Sequence, residues 1–178
     1  MTDLADIENS TDAAPEAGLW RLWSIAAQRP EIDDALRRFY RMLDAHVASL
    51  SPRCDLSGRC CKFDTFGHRL YVTGLEIAWL LIQLDSDRTR PLLNAHHAAA
   101  DGCPFQAGKL CSVHALRPLG CRVFFCDPAA QSWQSGAYEQ CLADLRSLHD
   151  RDRIPYRYME WRAGLDEALS SGISSQLV

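Results

Sequence analysis

From Pro30 onward the apolar residues Ile32, Leu36, Phe39, Leu43, Val47 and Leu50 recur at steps of three or four, the period of a helix that buries one face. Pro30 suits the first turn of that helix, where its missing N–H has no partner to lose. Ahead of it, "LWRLWSIAAQ" sets Leu19, Leu22, Trp23 and Ala26 on one side of a shorter helix. "HRLYVT" predicts a short strand or extended segment near residues 69–73. Thr73 and Glu76 then stand at the three-residue offset of a capping box, so a helix is expected to open at Thr73 and run through "GLEIAWLLIQL". "RPLLNAHHAAADG" predicts another, with Pro91 in its first turn and Gly102 past its end. Near the C-terminus, Tyr138, Cys141, Leu142, Leu145 and Leu148 share one helical face, and Tyr158, Trp161, Leu165 and Leu169 share another.

The interruptions matter as much as the helices. Residues 1–17 combine five carboxylates with small polar residues and Pro15, too little apolar surface to offset the entropy of ordering, and are expected to be a disordered acidic tail. Residues 18–178 then form a single helical domain. Within it, two stretches carry no sustained period. "SLSPRCDLSGRCC" is one, and residues 103–136, with four cysteines and three prolines, are the other. The expected fold is mainly α, with two cysteine-rich loops whose order comes from a metal centre rather than from regular backbone pairing.

Length and charge narrow the class. A chain of 178 residues buries one full core and is short for two large domains. The balance of 19 basic against 23 acidic side chains gives a net charge of −4, which supplies no electrostatic footprint for nucleic acid. No segment approaches the roughly 18 uninterrupted apolar residues of a spanning helix, and the N-terminal stretch has neither the basic nor the apolar part of an export signal. A cytoplasmic protein with no nucleic-acid and no membrane partner is expected.

That placement decides how the eight cysteines are read, because cytosolic thiols stay reduced and a repeated-cysteine pattern there points to metal binding or redox chemistry. The first loop reads C-x5-C-C, with Cys54, Cys60 and Cys61. After 41 intervening residues the second reads C-x7-C-x9-C-x4-C, with Cys103, Cys111, Cys121 and Cys126. Zinc and iron-sulfur clusters both take about four thiolates, supplied by short chelating segments that fold toward each other. These seven thiols are the candidate ligands, more than one tetrahedral site takes. Four thiolates on a doubly charged centre leave two negative charges, and of the nearby bases Lys62, Lys109, Arg117 and Arg122, the two arginines are the candidates to offset them and bond sulfur. The opposing reading makes them solvated surface charges.

"CDLSGRCC", then "VTGLEIAWL", then "CPFQAGKLCSVHALRPLGCR" together resemble the YkgJ-type cysteine-cluster family of zinc- or iron-chelating proteins. The likeness covers residues 54 to about 126. It implies chelation by Cys54, Cys60, Cys61, Cys103, Cys111 and Cys121; Cys126 lies outside the short family pattern and is added from its spacing. Ser57 stands where that pattern has its second cysteine, and a hydroxyl is a poor ligand for a soft metal, so Cys126 is a candidate replacement. Cysteine-cluster proteins related to that family, which methylate flagellin lysines, are described as carrying an iron-sulfur centre, and by analogy the resemblance implies iron-sulfur over zinc by a small margin.

Several residues read more plainly. Cys141 lies on an apolar helical face and is expected to pack as a small hydrophobe. His114, three residues after Cys111, is read as packing rather than as a mixed Cys-His ligand, and adjacent His96 and His97 point different ways on a helix. Trp133 lies in the polar stretch "AAQSWQSG", either capping the cysteines or covering surface. The common hydrolase, nucleotide-binding and zincin motifs are missing. The sequence therefore predicts a cysteine-ligated metal-binding protein, holding zinc or an iron-sulfur cluster, with a redox, metal-handling or structural role and a redox protein as candidate partner. Its rivals are an iron-sulfur enzyme of methyl or electron transfer and a metal-free thiol redox sensor.

Overall fold

The computed structural model describes residues 15–84 and 102–172, which form a mainly helical fold. Helix α1 runs Pro15–Gln28 and α2 runs Pro30–Leu50. A 3-10 turn at Arg59–Cys61 leads to the short α3, Phe63–Phe66. Strand β1, Tyr71–Thr73, opens directly into α4, Gly74–Gln83. After residue 101 come β2 (Gln106–Ala107), β3 (Leu110–Cys111) and α5 (Leu119–Val123). The long α6 (Gln131–Arg151), β4 (Tyr158–Glu160) and α7 (Trp161–Ser170) complete the described chain. The helix expected over residues 90–102, with His96 and His97, lies outside the described residues apart from Gly102, as do residues 1–14 of the expected tail. Helix α1 already starts at Pro15, inside that tail, with proline at the first helical position where it fits.

Helix α2 has the predicted span, and Ile32, Leu36, Leu43 and Val47 are buried. Tyr40, not Phe39, completes the face, because its hydroxyl donates to the Glu76 carboxylate at 3.0 Å. In α1 the buried face is also turned from the expected one: Leu22 is half exposed, while Trp20, Trp23, Ala26 and Ala27 face the core. The two indoles meet edge to face at 4.8 Å, and Trp23 Nε1 donates to Pro155 O at 2.8 Å. Trp23 lies so close over Gly74 that a Cβ there would collide with its ring. A glycine at the start of α4 is what lets α1 and α4 touch.

The capping box at α4 is formed in full: the Glu76 amide donates to Thr73 Oγ1, and the Glu76 carboxylate accepts from Thr73 N. The predicted strand exists and pairs antiparallel with β4, Tyr71 opposite Glu160 and Thr73 opposite Tyr158. Tyr158 was expected in the last helix; strand pairing takes it, and α7 starts at Trp161. Helix α6 starts at Gln131, inside the stretch expected to be irregular, behind a 3-10 turn capped by the Asp127 side chain on Ala129 N. One hydrophobic cluster runs from Trp20 to Ala168, and Cys103, Cys111, Cys121 and Cys141 pack at its edge.

Candidate metal centre

The first cysteine loop is held at three points. Ser51 closes α2 in the left-handed conformation, φ 49°. Arg53 N then donates to Asp127 Oδ2 at 2.9 Å, which ties the residue before Cys54 to the residue after Cys126. Farther on, Gly58 turns at φ 72°, buried against Gln106 and the Lys109 backbone, and its carbonyl accepts from Gln106 Nε2 at 3.1 Å. Only glycine has both the torsion and the space for this approach. It carries the Arg59–Cys61 turn against the second loop.

Cys103 N donates to Cys61 O at 2.8 Å, and Gly102 sits so close to that carbonyl that a Cβ would overlap it. The β2–β3 hairpin, Gln106 opposite Cys111, folds Cys111 back toward the same place. Cys121 arrives on α5, whose first amide, Leu119 N, donates to Glu76 Oε1 at 2.8 Å. Glu76 is 2% exposed and accepts from Tyr40, Thr73 and Leu119. A single buried carboxylate thus joins α2, α4 and the helix that bears Cys121.

The seven loop thiols divide by exposure: Cys61, Cys103, Cys111 and Cys121 are half-buried, whereas Cys54, Cys60 and Cys126 are exposed. The inner thiols act on one another. Interaction with Cys103 and burial push Cys61 up to about 12. Burial, then the thiols of Cys61 and Cys111, hold Cys121 far above the usual thiol range, and Cys60 is raised chiefly by its contact with Cys61. Cys126 is raised by burial, with Cys60 and Cys54 adding to the effect. Cys60 therefore stands between the inner four and the outer pair. Among the described residues, no group of three or more Cys, His, Asp or Glu side chains is disposed to hold a metal ion as it stands. The thiols are gathered without converging on one point.

The two arginines part company. Arg117 Nε donates to His114 O at 3.0 Å and Nη1 to Cys121 O at 3.1 Å. Burial lowers its pKa while the Cys121 and Cys111 thiols, with Asp44, oppose the shift. Among the described residues it makes no ion pair with a carboxylate. Arg122 is 3% exposed and spends its guanidinium elsewhere, on Asp44 Oδ2 at 2.5 Å and on the carbonyls of Arg117 and Ala115 at 2.6 Å each. It also lies over the Tyr40 ring at 4.2 Å. Arg122 is not a solvated charge; it braces the segment that carries Arg117, and among the described residues neither arginine donates to sulfur, Arg117 acting on the Cys121 and Cys111 thiols only through its charge. Lys62 and Lys109 are exposed.

Cys141 packs at the core edge on α6, as its apolar neighbours predict. His114 is exposed rather than packed as expected, and partial desolvation, with the charges of Arg117 and Arg122 nearby, lowers its pKa. Trp133 packs against Phe125, ring centres 6.3 Å apart, and lines a hollow with Cys141 rather than with the loop thiols. Sequence reasoning missed Asp44, Asp127 and the wider role of Glu76. The capping box marked Glu76 as a helix start, but nothing local in sequence links it to Leu119.

No family model matches the chain, and no curated protein or solved structure does either. No helix among the described residues is long and apolar enough to cross a membrane.

Proposed function

We propose that this protein binds a metal centre, zinc or an iron-sulfur cluster, through Cys61, Cys103, Cys111 and Cys121, as a cytoplasmic member of the cysteine-cluster class it resembles. The observation that carries the reading is the gathering of four half-buried thiols from separate chain segments beside Arg117, a cation with no carboxylate partner among the described residues. Thiolates are the donors that zinc and iron-sulfur clusters prefer. Neutral crowded thiols leave Arg117 unbalanced, whereas four thiolates on a doubly charged centre give it two negative charges to face. Binding requires modest rotation of the thiols toward a common point, together with loss of their protons. Cys54, Cys60 and Cys126, on the exposed side, are then entry ligands or exchangeable thiols, and the role is metal handling, structural support or electron transfer to a redox protein.

A second reading, the metal-free thiol switch, draws on the same side chains. Cys60 with Cys61, and Cys61 with Cys103, interact pairwise, and oxidation by a peroxide would take two protons and two electrons from such a pair to make a disulfide. Cysteine alkylation in the anaerobically purified protein separates the readings. Bound metal protects four thiols until a chelator is added; a metal-free switch leaves the count unchanged by chelator and lowers it with peroxide.

A further inference from the structure

A cavity of about 400 Å³ opens between the C-terminal end of α2 and the segment around Arg117 and Arg122, within the size range of small-molecule sites. Its polar lining is unevenly charged. Two guanidinium groups, Arg117 and Arg122, face one carboxylate, Asp44. The Arg122–Asp44 pair at 2.5 Å neutralises itself, and the other nitrogens of Arg122 are committed to backbone carbonyls. Arg117 has used Nε and Nη1 on the carbonyls of His114 and Cys121, and Nη2 has no hydrogen-bond partner among the described residues. One positive charge is left over. Ser51 and His114 apart, the rest of the wall is apolar, from Val47, Ala48, Pro52, Ala115 and Phe125.

We propose that this cavity binds a small organic carboxylate, its anionic end on Arg117 and a short apolar body against Val47, Ala48 and Phe125. A partly desolvated guanidinium favours an anion and pairs best with a planar carboxylate. The apolar walls favour a ligand that carries hydrocarbon behind its charge over a bare inorganic anion. Since Arg117 also borders Cys111 and Cys121, the occupant lies one side chain from the thiols. The site stands on the cavity and on its charge balance in the metal-free chain; thiolates on a bound centre share the charge of Arg117, so benzoate is expected to bind the metal-free chain more tightly than the metal-loaded one.

The test is an NMR titration of the full chain, reduced and anaerobic, with benzoate, inorganic phosphate and benzylamine as probes. Benzoate is expected to give saturable amide shifts confined to residues 44–52 and 114–125, with phosphate weaker and benzylamine inert. Ala48→Trp fills the cavity from an exposed position and is expected to abolish the benzoate shifts; Arg117→Gln should weaken binding by about tenfold or more. Metal content measured on each sample keeps loss of the thiol centre distinct from loss of the ligand. Absence of saturable benzoate shifts, equal response to benzylamine, or unchanged affinity in Ala48→Trp each overturns the proposal. Should Arg117→Gln fail to fold, Ala48→Trp alone decides.

Discussion

Glu76 holds together the part of the molecule that presents Cys121, and its replacement by glutamine tests how. Oε1 accepts from Tyr40 Oη at 3.0 Å and Leu119 N at 2.8 Å, while Oε2 accepts from Thr73 N at 2.8 Å and Thr73 Oγ1 at 3.1 Å. A glutamine has the same shape but only one acceptor oxygen. Whichever way round its amide sits, a buried backbone N–H, that of Thr73 or of Leu119, meets an NH2 group that accepts nothing. Each unsatisfied buried donor costs about 1–3 kcal/mol, and the surviving bonds weaken because the acceptor is no longer charged. Glu76→Gln should therefore destabilise by about 3 kcal/mol. Glu76→Ala leaves both amides and the Tyr40 hydroxyl unpaired beside a new cavity, and should cost about 4–5 kcal/mol. Urea denaturation at fixed metal content measures this as a lower midpoint with an unchanged slope. A fall in melting temperature of about 6–12 °C is expected for glutamine at this chain length. Amide exchange at Leu119 should rise in both variants. A glutamine variant within about 0.5 kcal/mol of the parent, the range of an ordinary surface substitution, refutes the reasoning.

Three further outcomes follow from the same geometry. Gly102→Ala places a Cβ against the Cys61 carbonyl, a backbone atom that no rotamer change relieves, so Cys103 should separate from Cys61 and metal bound per chain should fall while α2 and α4 persist by circular dichroism; unchanged metal content contradicts this. Arg122→Leu strips the hydrogen bonds to Asp44, Arg117 O and Ala115 O and should cost about 2–4 kcal/mol, whereas Asp44→Ala, whose carboxylate is half exposed, should cost about 1–2 kcal/mol; denaturation midpoints check the order. With metal removed, the folded state keeps the proton on Cys61, held up to about 12, when an unfolded thiol loses it near about 8.5. Stability of the metal-free chain is therefore full below that value and falls as pH rises through about 12, while the metal-loaded chain responds oppositely, losing metal on acidification. Midpoints at neutral and alkaline pH under anaerobic conditions read the sign, and a metal-free chain that gains stability with pH counts against it.

The parts of the fold that were legible in sequence are those governed by local chemistry. The spacing in α2 and the Thr73/Glu76 capping box both depend on residues three or four apart; the box formed as expected, and α2 buries four of its six expected positions, with Tyr40 in place of Phe39 and Leu50 exposed. The face of α1 differs from the expected one because Leu22 and Trp20 are equally apolar in sequence; Trp20 is buried edge to face on Trp23, while Leu22 is half exposed. Tyr158 left its expected helix because the edge of β1, eighty-odd residues away in sequence, offered backbone partners. At the candidate centre the cysteines announced themselves, but their division into four half-buried and three exposed did not. That division depends on contacts distant along the chain: Gly102 against Cys61, Gly58 against the β2–β3 hairpin, and Arg53 N on Asp127. The different fates of Arg117 and Arg122, five residues apart, rest likewise on Asp44 of α2.

The most direct test of the central claim is metal and acid-labile sulfide content per chain, with a visible spectrum, on protein purified without oxygen. The account predicts either one zinc in a colourless protein or about four iron and four sulfide in a brown one. That content should be lost in a Cys121→Ser variant and kept in a Cys141→Ser variant. Protein that is folded, fully reduced and free of both metal and sulfide would contradict the account and leave the thiol switch in its place.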